Sequence, residues 1–407
     1  MRESFWPWET TDGPARLEEM MKTIIRGWFY LPFILAAAEF SGVQKVEILN
    51  GVRIVHNEKE GVGGRMPAVR LELVRTIGGD EPSDPNLAFG APYDVVVDSD
   101  GNIYVLDERN TRIQKLTPEG IFLLSIGRHG QGPGDFQYPY SMDIDDADRL
   151  HVFDFMNKRI QVMTPGGKPE SAIKLYSSSM VRVRLLKSGE IVMGGLSLRE
   201  VLPSGKKLPP LFTVINSRGK RQKTFGEMRD YGNANVNYHA NQISFDVDGE
   251  DGICAAFRHQ NRIEKYSPGG ALLWRADRVL NYGTDVIDKG YIHQDYKGIR
   301  IQAPFLNTVS VGIAADGRGR LWLITLDRQM TKEETGSEIV AGGKRKIVEP
   351  IIHKMDIYKL EVFGPDGILL GDIPLHHAAH GIRIWGEFLF LWELNTATVY
   401  QYRIKEN

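Results

Sequence analysis

The chain has 407 residues, with 50 Lys and Arg against 52 Asp and Glu, so its net charge is −2. Hydrophobic residues make up 42% and charged residues 25%, which is ordinary globular usage and excludes a disordered chain, a collagen-like chain and a disulfide scaffold. The chain lacks the basic excess that drives nucleic-acid binding, so we expect no nucleic acid as its partner.

The N-terminal region has the features of an export signal. Residues 28–38 read WFYLPFILAAA, an apolar run that follows Lys22 and Arg26 and ends in three alanines. Such a run is typical of a secretory signal peptide and is too short to span a bilayer as a helix. We therefore expect residues 1–38 to be an N-terminal extension and signal peptide, and the mature protein to be secreted or periplasmic, with no stable membrane span. An uncleaved anchor or an amphipathic helix is the alternative.

The single cysteine, Cys254, cannot form an internal disulfide. It lies in the apolar run Ile253–Phe257, which favours a buried and inert thiol over a reactive one.

An internal repeat appears when the chain is aligned with itself at an offset of 47 residues. Residues 92–120 then align with residues 139–167, and both copies alternate short apolar runs with turns rich in Gly, Asp and Asn. The identical positions include Pro92/Pro139, Tyr93/Tyr140, Asp98/Asp145, Asp107/Asp154, Asn110/Asn157 and Arg112/Arg159. Four short strands in a unit of this length are typical of a propeller blade.

Weaker copies of the unit continue to the C-terminus. They predict an all-β, six-bladed β-propeller of four-stranded antiparallel blades over residues 69–407, with blades starting near 92, 139, 180, 241, 309 and 381. Residues 271–308 are too irregular for a seventh blade. The last unit lacks a fourth strand, and Leu71–Gly78 is expected to supply it and close the ring, because closure removes exposed sheet edges. Residues 39–68 are expected to form a hairpin, turning at Asn50-Gly51, and a linker.

The blade junction Gly127–Pro139, GRHGQGPGDFQYP, resembles that of the NHL-repeat family. The run Asp98–Asp107, followed by Asn110 and Ile113, resembles the same repeat. The likeness is strong over residues 86–167, fair over 240–270 and weak elsewhere, and it implies a secreted bacterial six-bladed propeller. The wider group includes protein-binding and RNA-binding rings, a metal-dependent amidating lyase and, more distantly, gluconolactonase-like enzymes, so the fold leaves the function open.

The longest insertions, Asp327–Lys354 and Asp277–Asn307, fall on one face of the predicted ring. This 4-to-1 face is formed by the connections from strand 4 of one blade to strand 1 of the next, together with the turns between strands 2 and 3. Elaborated loops usually mark a binding face. We therefore expect a binding or scaffold module for a peptide, protein or saccharide, although packing between blades is an alternative role for the tyrosines. The predicted binding residues are Asp94, Tyr140, Arg182, His239, Asn241, His293 and His380.

Three of these residues suggest a rival function. His239, His293 and His380 precede blades 4, 5 and 6, and three imidazoles that converge at the channel mouth would suit a divalent metal, zinc or calcium. The resemblance to the amidating lyase supports a channel metal, whereas solvated loop histidines are the ordinary alternative. The rival to a binding module is therefore a metal-dependent lyase or lactonase-like hydrolase.

Two recurring aspartate patterns predict turn chemistry rather than catalysis. Asp98-Ser-Asp100-Gly101 resembles the start of a calcium loop but lacks the glutamate and the glycine position of an EF-hand, which favours an Asx turn. Asp107 and Asp154 each precede an Asn-x-Arg, which predicts an Asp–Arg bond bracing the turn.

Overall fold

The computed structural model describes residues 40–41, 44–59, 61, 69–175, 182–195, 208–294, 300–331, 334, 337–340, 344–347 and 356–406. Side chains are described over the same residues except 40–41, 287–303, 337–340 and 344–347. The expected export segment, residues 1–38, and most of the expected linker lie outside the described residues.

Strands dominate the described chain. Before the first complete blade the strands are β1 (Phe40–Ser41), β2 (Gln44–Leu49), β3 (Val52–Asn57) and β4 (Val69–Gly78). Blade 1 consists of β5 (Pro92–Val97), β6 (Ile103–Asp107), β7 (Arg112–Leu116) and β8 (Phe122–Ile126). Blade 2 consists of β9 (Pro139–Ile144), β10 (Leu150–Asp154), β11 (Arg159–Met163) and β12 (Pro169–Lys174). Blade 3 consists of β13 (Arg182–Leu185), β14 (Ile191–Gly194), β15 (Phe212–Ile215) and β16 (Arg221–Phe225).

A short helix, α1 (Ala234–Ala240), leads into the second half of the ring. Blade 4 consists of β17 (Ile243–Val247), β18 (Ile253–Phe257), β19 (Ile263–Tyr266) and β20 (Leu272–Arg278). A hairpin of β21 (Ile287–Gln294) and β22 (Arg300–Phe305) follows it. Blade 5 consists of β23 (Ser310–Ala315), β24 (Leu321–Leu326), β27 (Tyr358–Phe363) and β28 (Leu369–Pro374), with the hairpin β25 (Ser337–Val340) and β26 (Lys344–Ile347) inserted between its second and third strands. Blade 6 contains β29 (Gly381–Trp385), β30 (Phe388–Glu393) and β31 (Thr398–Glu406).

The ring is closed as the sequence predicts. β31 pairs antiparallel with β4, so that the N-terminal strand becomes the fourth strand of blade 6. The six blades begin at or within two residues of the predicted positions, and residues 279–309 contribute a two-stranded hairpin instead of a seventh blade.

The predicted hairpin forms, but it also extends blade 4 in a way that the sequence did not indicate. β2 and β3 turn at Asn50-Gly51, and β3 then pairs in parallel with β20, the outer strand of blade 4. Asn57 fixes this junction: its Nδ2 donates to Asp277 O at 2.9 Å and Gly367 O at 3.0 Å, and its Oδ1 accepts from Leu369 N–H at 2.7 Å. One buried side chain thus joins the hairpin to blades 4 and 5.

Apolar side chains fill each interface between neighbouring blades. The cluster between blades 6 and 1, for example, contains Ile77, Trp392, Val95 and Val105, and equivalent clusters occupy the other five interfaces. Cys254 is fully buried in the interface between blades 4 and 5, and burial raises the pKa of its thiol, so it is inert as expected.

The two aspartate patterns take the structural roles that the sequence predicts. Asp98 accepts from the N–H groups of Asp100 and Asn102 at 3.1 and 2.8 Å, which is an Asx turn. Asp107 accepts from Arg112 Nε at 3.1 Å, and Asp154 accepts from Arg159 Nε at 3.0 Å. Asp107 also accepts the N–H groups of residues 90 and 91, so the brace holds the 4-to-1 connection against the turn between strands 2 and 3.

Candidate ligand-binding site at the channel mouth

Buried ion pairs join the innermost strands inside the channel. Arg184 donates to Asp246 at 3.0 Å and to Asp94 at 3.3 Å. Arg383 donates to the same Asp246 oxygen at 3.0 Å and to Asp143 at 2.7 Å. These five side chains come from five of the six blades, so they connect opposite sides of the ring.

The same aspartates satisfy backbone groups on the inner edges of the blades. The first strand of each blade has an edge without a neighbouring strand, and its N–H and C=O groups need other partners. Asp94 accepts the N–H of Met142 at 3.1 Å, and Asp246 accepts that of Ala315 at 3.0 Å. Burial alone would raise the pKa of Asp94, but Arg184 and Arg383, among other partners, hold it below the usual value. Asp94 is only 1% exposed, so a predicted binding residue lies within the ion-pair network.

Two arginines on the 4-to-1 face lack such partners. Arg182 is the first residue of β13, and Arg258 directly follows β18 in the turn between strands 2 and 3 of blade 4. Backbone bonds fix this turn, from Arg258 N–H to Gln242 O at 2.8 Å and from Val309 N–H to Arg258 O at 2.7 Å. Among the described residues, neither guanidinium donates a hydrogen bond or lies within 4.0 Å of a carboxylate. Burial is the main cause that lowers both pKa values, that of Arg182 to about 10 with the help of the nearby Arg184.

Aromatic rings lie beside these arginines. The rings of Tyr93 and Tyr140 are 5.5 Å apart, and that of Phe155 is a further 5.5 Å from Tyr140. Burial and the charge of Glu108 raise the pKa of Tyr93, whereas Arg182 and Arg258 both act to lower it. Tyr93 is therefore close to both unpaired guanidinium groups, and the predicted residue Tyr140 belongs to the same aromatic row.

Two histidines, His259 and His380, lie near Arg258, and a third, His239, lies near His259. Burial and the Arg258 charge lower the pKa of His380 to about 4, and His380 Nδ1 accepts the N–H of Leu394 at 3.2 Å. Burial is also the main cause that lowers the pKa of His259 to about 4, with contributions from Arg258 and His239. Burial lowers the pKa of His239 as well. These uncharged rings do not compete with Arg182 and Arg258 for an anion.

The last two predicted binding residues are Asn241 and His293. Asn241 is fully buried and bonds the backbone of Arg229, which holds α1 against the preceding loop. His293 lies in β21, and its side chain is outside the described ones. Among the described residues, no group of three or more His, Cys, Asp or Glu side chains has a metal-binding arrangement. The three-histidine metal site therefore stays a prediction.

Sequence reasoning placed Tyr93 and Tyr140 at the same repeat position, at the entry to strand 1, but it missed Arg258 altogether. Arg258 follows the second strand of its blade, as Glu108 and Phe155 do in blades 1 and 2. Comparing this one repeat position across the blades would have identified a set of residues facing the mouth.

Comparisons with known proteins support the fold. The model of a family described as a six-bladed β-propeller, DUF5128, matches residues 89–183. No curated protein matches the chain at a significant level. Within the part of the chain that the structure describes, no helix is long and apolar enough to cross a membrane.

Two solved structures are similar over most of their length. A member of the DUF4221 family from Bacteroides vulgatus is 11% identical, with a TM-score of 0.53 over 83% of this chain and 99% of that one. A protein from Bacteroides fragilis, described as a candidate exported protein, is 10% identical, with a TM-score of 0.54 over 87% of this chain and 99% of that one. At these identities the likeness concerns the fold alone.

Proposed function

We propose that this protein is an exported NHL-type propeller that acts as a binding module through its 4-to-1 face. Its ligand is a peptide, protein or saccharide that presents a carboxylate or another anionic group at the channel mouth. The observation that carries the proposal is the pair of guanidinium groups, Arg182 and Arg258, which both lie near Tyr93 and have no hydrogen-bond or ion-pair partner among the described residues. Export is supported by the apolar run at residues 28–38 and by the similarity to a candidate exported protein.

The physical argument rests on the cost of partly buried charge. A guanidinium that loses hydration without gaining a partner is unfavourable, and burial accordingly lowers the pKa of Arg182 and that of Arg258. The two oxygens of a carboxylate can accept bidentate hydrogen bonds from a guanidinium. The rings of Tyr93 and Tyr140 add rigid area with a polar edge, which suits contacts with the rest of a ligand.

Binding of matched charged and neutral ligands tests the proposal. We expect hexaglutamate peptide or oligogalacturonate to bind more tightly than hexaglutamine or the methyl-esterified sugar, measured by calorimetry. Arg182→Gln and Arg258→Gln should each weaken the anionic ligand about 10- to 100-fold, because a hydrogen bond to a charged group contributes about 1.5–3 kcal/mol.

Arg221→Gln provides the matched control, since Arg221 is an exposed arginine on the outer strand of blade 3. Its affinity should be unchanged. Equal binding of charged and neutral ligands, or equal losses in Arg221→Gln and Arg258→Gln, would contradict an anion site at the mouth.

A further inference from the structure

A second concave site lies at the opposite end of the channel. The turns between strands 1 and 2 of each blade form this 1-to-2 face, and the cavity in it encloses about 580 Å³. All six blades contribute to its lining, and its size is within the range of roughly 300–1,000 Å³ that is usual for small-molecule sites. The ion-pair network of Arg184 and Arg383 forms its floor.

Two lining side chains carry buried polar atoms without a partner among the described residues. One is Nη2 of Arg184, whose side chain is only 1% exposed, and the other is Nδ1 of His151. A carboxylate oxygen only accepts, so the 2.9 Å contact with Asp145 places a donating N–H at His151 Nε2; in the Nε2–H tautomer of the ring Nδ1 is an acceptor, whereas Arg184 Nη2 is a donor. The lining thus leaves one donor and one acceptor unpaired, a combination that a hydroxyl group satisfies.

An aromatic ring completes the lining. Trp385, the last residue of β29, is 38% exposed and lines the cavity, as do the aliphatic residues Ile144, Leu186 and Val247 of other blades. Its indole Nε1–H donates no hydrogen bond to any described residue. A flat apolar face with polar groups around it matches a ring that carries C–H groups on its faces and hydroxyl groups at its edge.

We propose that the cavity on the 1-to-2 face binds a neutral saccharide residue, stacked on Trp385 and with its hydroxyl groups toward Arg184 and His151. An anionic ligand is disfavoured because carboxylates outnumber cations in the lining by six to four. A cationic ligand is disfavoured because Asp143 and Asp246, the carboxylates at the floor, are already occupied by arginines and backbone N–H groups. This site is separate from the proposed anion site on the 4-to-1 face.

Protection of an introduced thiol tests the inference. Cys254 is the only native cysteine and is fully buried, so Ser217→Cys, an exposed position in the cavity lining, creates one reactive thiol. The probes are glucose, galactose, mannose and xylose with their β-1,4-linked disaccharides, together with glucuronate and glucosamine, each at up to about 10 mM, well above a millimolar Kd. We expect at least one neutral sugar to slow maleimide labelling of Ser217→Cys several-fold.

Control variants test whether the protection by sugar arises in this cavity. Ser83→Cys, exposed and outside the cavity lining, should be labelled at the same rate with and without sugar. Trp385→Ala should abolish the protection of Ser217→Cys, and Trp385→Phe should retain part of it. Arg258→Gln should leave the protection unchanged, which would show that this site is separate from the one on the 4-to-1 face. Protection by no neutral sugar, stronger protection by glucuronate or glucosamine, or protection that persists in Trp385→Ala would overturn the inference.

Discussion

Burial at the channel mouth decides the charge of individual residues. It leaves Arg182 and Arg258 charged and without a partner in the part of the chain that the structure describes, while it keeps His380 and His259 neutral. At neutral pH the described part of the mouth therefore has two guanidinium cations near uncharged imidazole rings, with the carboxylate of Glu108 close to Tyr93. The same neutral histidines make stability depend on pH in a defined direction.

The first prediction concerns His380, whose pKa is lowered from 6.5 to about 4. Between these values the unfolded chain binds a proton that the folded protein excludes, so the free energy of unfolding should fall as the pH decreases from 6.5 to 4. His380→Asn, whose amide oxygen can still accept the Leu394 N–H, should show a shallower fall in urea denaturation. The exposed His376→Asn is the control and should keep the wild-type slope; identical slopes in all three proteins would contradict the prediction.

Local spacing decided which residue interactions could be predicted. Asp107–Arg112 and Asp154–Arg159 were predictable because the partners are five positions apart within a repeated pattern. The contacts of Arg184 with Asp246 and of Arg383 with Asp246 were not, because they join strands of different blades that meet only when the ring closes. Nothing in a single sequence marks such pairs.

At the level of elements, the β2–β3 turn could be predicted from the sequence, but the sheet edge against which the hairpin packs could not. Asn50-Gly51 predicts the β2–β3 turn because both residues adopt positive φ there. The parallel pairing of β3 with β20 depends on which sheet edge the hairpin meets, and that is a tertiary property. Helix α1 was also missed, although its N-cap, Asn233, which accepts from two N–H groups, is a recognisable local signal.

The second prediction tests the junction held by Asn57. Asn57→Ala leaves the N–H of Leu369 and the C=O groups of Asp277 and Gly367 without this partner, and a buried unsatisfied group costs about 1–3 kcal/mol. We expect the free energy of unfolding to fall by about 2–4 kcal/mol and the hairpin to be cleaved faster in limited proteolysis. Asn86→Ala, at an exposed position, should change neither quantity. Unaltered cleavage in Asn57→Ala would show that the hairpin is held by other contacts.

At the scale of the whole molecule, the repeat gave the number of blades and the missing fourth strand of the last one. That inference succeeds because each blade must bury both faces against its neighbours, so an incomplete blade has to be completed from elsewhere in the chain. The strand β4 brings the two ends of the described ring into one sheet. The pairing of β4 with β31, which we call the seam of the ring, is noncovalent. A covalent link across this seam should therefore stabilise the ring.

The third prediction follows from this seam. Arg70 in β4 and Lys405 in β31 are directly opposite each other, and opposite antiparallel positions are close to the Cβ separation of a disulfide. Oxidised Arg70→Cys/Lys405→Cys should gain about 2–4 kcal/mol in unfolding free energy over its reduced form, because the link closes a loop that spans almost the whole ring. Thr213→Cys/Thr224→Cys, an opposite pair within blade 3, closes a short loop and should gain less. If the two disulfides stabilise equally, or if the seam disulfide forms without any gain, loop closure at the seam does not limit the stability of the ring.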